Sequence, residues 1–113
     1  MSESPQVAVH NNQAASRYEI TVDGKVVGLA AYSVRSSTIS FVHTEVTPEL
    51  SGLGLASTLI KAALKDARQR GLDVLPYCEF VRHYISTHPE EIDLVPAIRR
   101  PAFGLPAEPA KIA

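Results

Sequence analysis

At 113 residues, 45% hydrophobic and 20% charged, the chain has the length of one domain and the balance of a globular protein. Eleven Lys and Arg stand against twelve Asp and Glu, and a net charge of −1 excludes any global pull toward nucleic acid or an anionic membrane surface. The lone cysteine, Cys78, excludes an internal disulfide and a multi-cysteine metal site.

The N-terminal residues 1–15 are polar and turn-prone, apart from Val7-Ala8-Val9, a candidate short edge strand. Arg17-Tyr18-Glu19-Ile20-Thr21-Val22 alternates apolar and polar residues, the period of a half-buried strand. Asp23-Gly24 is a hairpin signal, and Lys25 to Arg35 reads as the return strand. Ser36-Ser37 turns the chain into a further strand, Thr38 to Val46, completing a meander. After a loop with Gly52 and Gly54, residues Ala56, Leu59, Ile60, Ala63, Leu64 and Ala67 fall on one helical stripe. Arg68, Arg70 and Gly71 suit its C-terminus. Leu72 to Cys78 reads as a strand parallel to the preceding one, because a helix joins them. Pro76 implies that pairing is lost near its end. Glu79 to His88 is expected to be a short helix with Phe80, Tyr84 and Ile85 inward, stopped by Pro89. Pro96, Pro101, Pro106 and Pro109 then mark a Pro/Ala-rich tail over residues 96–113, ordered only where it packs on the domain formed by residues 1–95.

The strand–glycine loop–helix unit carries the functional reading. Amides at a helix start have no partner within the helix and attract anions, so Gly52 and Gly54 sit where a phosphate cradle would form. The other reading is a turn whose glycines supply positive φ. A Walker loop is excluded, since Leu55-Ala56 follows Gly54 where Lys-Ser/Thr is required. The spacing of Gly52, Gly54 and Ala56 also fails the dinucleotide fingerprint.

Ser51-Gly52-Leu53-Gly54-Leu55-Ala56 resembles the pyrophosphate loop of the Gcn5-related N-acetyltransferases (GNAT), Gln/Arg-x-x-Gly-x-Gly/Ala. Gly54 and Ala56 match, and Ser51 departs at the first position. His10-Asn11-Asn12, Ser16-Arg17-Tyr18-Glu19, Asp23-Gly24, His43-Thr44-Glu45-Val46, Pro76-Tyr77-Cys78 and His83-Tyr84 with His88-Pro89-Glu90 together resemble the small YjdJ-type acetyltransferase-like family. The likeness covers most of the chain short of the tail. It implies an α/β fold with a mixed sheet: a minimal acyl-CoA N-acyltransferase fold of antiparallel meander, pyrophosphate loop, helix, parallel strand and short C-terminal helix. It also implies acetyl-coenzyme A as acetyl donor and an amine as acceptor.

By the same resemblance, Ser51, Gly52, Leu53, Gly54, Leu55, Ala56 and Ser57 would hold the coenzyme A pyrophosphate, chiefly through backbone N–H groups. Glu45 and Val46 would offer backbone groups to pantetheine, and Cys78 would lie across a gap between splayed strands. Four side chains are candidates for the chemistry, each with a plainer alternative. Cys78 is a thiol nucleophile, a pocket wall or a core residue. Glu45 is a general base or a solvated strand-end carboxylate. His43, two residues away on the same strand face, orients Glu45, acts as base, or is structural. Tyr84 protonates the departing thiolate or packs its ring in the core.

The histidines show no metal-ligand spacing, so no metal is expected. Neither is a nucleic-acid partner, because the basic residues are scattered among acids. No apolar run approaches the ~20 residues that span a bilayer, and Met1-Ser2-Glu3-Ser4-Pro5 lacks signal-peptide order. A cytoplasmic location is the expectation. With few strands after Cys78 the acceptor site should be open, and an exposed edge strand leaves homodimerisation open. The alternative to catalysis is a coenzyme A-binding or protein-interaction module.

Overall fold

A computed structural model describes residues 6–50 and 52–106. Four strands come first: β1 (Val7–Asn12), β2 (Arg17–Val22), β3 (Lys25–Arg35) and β4 (Thr38–Val46). Then follow α1 (Leu55–Gln69), β5 (Asp73–Pro76) and α2 (Glu79–Thr87). The five strands form one sheet in the order β1-β2-β3-β4-β5, antiparallel as far as β4 and parallel between β4 and β5. This is the mixed α/β architecture anticipated above, and β1 runs three residues further than the Val7–Val9 expected of it.

The stripe on α1 is buried at Leu55, Leu59, Ile60, Ala63, Leu64 and Ala67. Leu55 takes the place expected of Ala56, which is only half-buried. The stripe meets Tyr18, Ile20, Ile39, Phe41 and Val74 in one core. Three rings tile the sheet side of that core, Tyr18 on Tyr32 at 5.2 Å between centroids and Phe41 within 6.4 Å of both. Tyr18 Oη donates to Asp66 Oδ2 of α1 at 2.5 Å, so its hydroxyl is satisfied. Burial first, then that carboxylate, holds the Tyr18 phenol protonated well above its ordinary range.

Alternation places the neighbours of Tyr18 on the opposite sheet face. Cross-strand register sets His10, Glu19, Leu29 and Glu45 in one row there and Asn12, Arg17, Ala31 and His43 in the next. Glu19 is buried among donors: Arg17 Nε at 2.7 Å, His10 Nε2 at 2.9 Å and Asn12 Nδ2 at 3.2 Å. The Arg17 guanidinium, with Asn12, holds its carboxyl below the ordinary range, although burial pushes it up. A depressed carboxyl contributes stability above its unfolded value, and that stability is lost as pH falls through the folded one. Glu19→Gln is therefore expected to destabilise the fold at neutral pH. The gap to the parent should close as wild-type Glu19 protonates in acid, which thermal melts across pH will read; a gap constant with pH would exclude the ionic contribution.

Two differences from expectation bear on the site. In α2, Val81, Tyr84 and Ile85 are buried, and Phe80 is exposed. Cys78 sits at the N-cap, with its amide donating to Phe41 O at 2.9 Å, and this contact fixes the rotational phase of the helix. Val81, Tyr84 and Ile85 then form the i, i+3, i+4 stripe, leaving Phe80 one step off it. The second difference is the proline-rich stretch. Short 3₁₀ turns at Pro89–Leu94 and Ala97–Phe103 carry it back over the domain, burying Ile92, Leu94, Val95, Phe103 and Leu105. Arg100 Nε donates to Val95 O at 2.8 Å within it. Such turns need few i→i−4 bonds, so the prolines cost little. The rest of the expected tail, from residue 107, lies outside the described residues, as does Ser51. Among the described residues no helix is long and apolar enough to cross a membrane.

Candidate active site

The site begins where β4 and β5 part. Their last paired residues are Phe41 and Pro76. Proline has no N–H to donate, so the regular ladder ends at Pro76; the Tyr77 amide turns back to Leu75 O at 3.1 Å, and the Cys78 amide still reaches Phe41 O at 2.9 Å. On β4 the pairing with β3 passes from Ala31↔His43 to Tyr32↔Phe41, leaving Val42 as a bulge residue. A bulge bends its strand and re-aims the side chains after it. The two strands thus enclose an open cavity of about 610 Å³. One wall is Val42, His43 and Thr44; the other is Tyr77, Cys78, Glu79, Phe80 and His83.

Across this gap the Cys78 thiol donates to Thr44 Oγ1 at 3.2 Å, a side-chain tie beyond the last register pair and beside the backbone bond from Cys78 N to Phe41 O. Cys78 is 9% exposed, so its sulfur is part of the cavity wall and not of the outer surface. His43 Nε2 lies 2.9 Å from Glu45 Oε2, and both side chains are well exposed. A carboxylate oxygen accepts here, so Nε2 is the donor, and in the neutral ring Nδ1 would carry the lone pair. Glu45 itself lines a separate recess of about 260 Å³ with residues of β3, including Gly28 and Leu29. The pair therefore reaches the main cavity through His43.

A second cavity, of about 330 Å³, lies at the start of α1. Gly52, Gly54, Leu55, Ala56 and Ser57 form one side, and Val46, Leu50 and Phe80 the other. Gly54 is the N-cap at φ 77° and Gly52 stands at φ 87°, the left-handed region that favours glycine. The first helical bond is Thr58 N to Gly54 O at 3.0 Å. The amides of Leu55, Ala56 and Ser57 therefore have no acceptor within the helix. No acidic residue occupies the first turn, and no side chain caps it. Leu53, largely exposed, is not in this lining; it faces a neighbouring apolar recess with Leu50 and Leu55.

The structure thus brings His43 and Cys78 to one cavity, ties Glu45 to it by a hydrogen bond, and sets Val46, Gly52 and Gly54 to Ser57 around the other. Tyr84 lines neither. Its buried ring stacks on His88 at 3.8 Å and 8°, and burial, then Glu91 and Glu90, raise its hydroxyl above the ordinary range. Thr44, Tyr77 and Phe80 belong to the site without having been singled out for it. Among the described residues no three His, Cys, Asp or Glu gather where they could hold a metal ion.

This arrangement, a sheet splayed beyond a bulge with a glycine-led helix start beside the splay, is that of an acyl-coenzyme A-dependent acyltransferase fold. The chain matches the model of the GCN5-related N-acetyl-transferase family over residues 17–94, and it belongs to that family. Among solved structures it is similar to a GCN5-like protein of Staphylococcus aureus determined by NMR. That likeness has 24% identity, 80% of this chain and 86% of that one covered, and a TM-score of 0.59. It speaks for the fold. A further likeness, to the crystal structure of Ard1 from Thermoplasma volcanium, has 29% identity over 50% of this chain, with a TM-score of 0.46. The chain spans 39% of that protein's length. No curated protein matches the chain.

Proposed function

We propose that the chain binds acetyl-coenzyme A along the two cavities and transfers the acetyl group to an amine. The observation that carries this reading is the end of β4–β5 pairing at Phe41 and Pro76, with a cavity opening directly beyond it and a second at the α1 start. The residues present fit such a ligand. Three amides without helical acceptors, two glycines with open space at the Cβ position and no acid in the first turn suit a pyrophosphate. The helix dipole adds about 0.3–1 kcal/mol there, and charge-assisted hydrogen bonds add more.

When bound, acetyl-coenzyme A supplies an activated carbonyl. The amine nitrogen forms a bond to that carbon, and the carbon–sulfur bond breaks. Of the two protons an ammonium acceptor loses, one leaves through His43 Nδ1 while Glu45 holds the ring by Nε2, and the other departs with the coenzyme A thiol. Thr44 and Cys78 form the wall beside the reacting group. The exposure of Val42 and Tyr77 at the cavity mouth suits an amine presented on a protein surface.

Calorimetric titration with acetyl-coenzyme A and with coenzyme A tests the reading; no heat at millimolar ligand would overturn it. Cys78→Ala is expected to retain binding and to slow transfer by no more than about tenfold, the mark of a wall residue. A loss of about a thousandfold or more, unrescued by Cys78→Ser, would make it the nucleophile. The position of Tyr84 outside both cavities favours the second reading, a coenzyme A-binding module without catalysis. Free-thiol release with a panel of amines separates the two.

A further inference from the structure

The two cavities share a single lining residue among those described, Phe80. Phe80 is 47% exposed, while the neighbouring Val81 is fully buried. An apolar ring left in solvent at the junction of two cavities is unlike an isolated surface hydrophobe, because both cavities open onto it. On the loop side it stands with Val46 and Leu50. On the splay side it stands with Tyr77 and Cys78.

We propose that Phe80 is a recognition residue for the arm that joins a nucleotide to its thioester, a role that rests on the coenzyme reading above. A ligand held by phosphates at the α1 amides and reacting beside Cys78 must cross the junction. The part of it that crosses is neither anionic nor reactive: it is the pantetheine chain, with a dimethyl-substituted carbon and two amides. An aromatic face offers that chain apolar contact, and Val46 and Leu50 supply further apolar surface in the loop-side cavity. The phase of α2, fixed by the Cys78 amide on Phe41 O, is what turns the ring to this position. Phe80 is thus a positioning residue: it sets the arm between two sites and touches no breaking bond.

Coenzyme A titrations on the wild type and on Phe80→Ala test this, with thermal melts on both. The expected result is an affinity weaker by about tenfold at an unchanged Tm, since the ring contributes little to the core. Affinity within about twofold of the parent overturns the role of Phe80 and leaves the coenzyme reading standing. Failure of the wild type to bind coenzyme A overturns both. A second measurement is independent of folding effects in the variant. In the saturated wild-type complex, NOEs are expected from the Phe80 ring protons to the geminal methyls of the pantoyl unit. Their absence would place the arm elsewhere and overturn the proposal.

Discussion

Gly54→Trp is expected to weaken coenzyme A binding about 100-fold in a protein that still folds. Gly54 holds φ 77° at the α1 N-cap, with no atom within 4 Å of where a Cβ would stand. A non-glycine residue there costs about 1–3 kcal/mol in backbone strain, and because Gly54 lines the 330 Å³ cavity, the indole has room to fill or cover it. The α1 amides would then be shielded from any anion. Weakening of about 100-fold, or about 2.8 kcal/mol, is the expected scale. Gly71→Ala supplies the control. It has φ 70° and equally open space, but lies just past the far end of α1. It should lose comparable stability and bind coenzyme A unchanged. Calorimetry beside thermal melts reads both quantities. Full binding by folded Gly54→Trp would mean that these glycines serve only the turn.

The parts of the fold legible in the sequence are those set by local pattern. Alternation in Arg17–Val22, the Asp23-Gly24 turn and the α1 stripe each depend on residues within a turn or two of one another. The His43–Glu45 pair was legible for the same reason, since i and i+2 share a strand face. The bulge at Val42 was not, because it arises from how two strands slip past each other and leaves no mark in either. The phase of α2 is ambiguous in the sequence because a nine-residue helix accommodates two stripes, Phe80 with Tyr84 or Val81 with Tyr84 and Ile85. A long-range contact, the Cys78 amide to Phe41 O, decides between them. The tie from Cys78 to Thr44 spans 34 residues and is likewise invisible to any window on the chain. After Pro96 the prolines mask the local pattern, and the burial of Phe103 and Leu105 is set by contacts distant in the chain, such as Phe103 with Tyr77.

Phe103→Ala is expected to destabilise the fold by about 3 kcal/mol, although it falls beyond the family match at residue 94. The ring is 7% exposed and meets Tyr77 edge-on at 5.3 Å and 77°. Tyr77 in turn lines the main cavity, and its hydroxyl accepts from Arg99 Nη2 at 2.9 Å. Removing a buried phenylalanine costs about 3–5 kcal/mol in a core, and the lower figure suits a site at the edge of the domain. In a chain of this size that is a fall in Tm of roughly 10 °C or more. Ile98→Ala, in the same turn but 87% exposed, should leave Tm unchanged. The comparison separates packing from mere composition. If Phe103→Ala melts with the parent, the segment does not brace the domain. If it melts early and also weakens coenzyme A binding, the segment carries the cavity wall through Tyr77, and the proline-rich end of the chain belongs to the site.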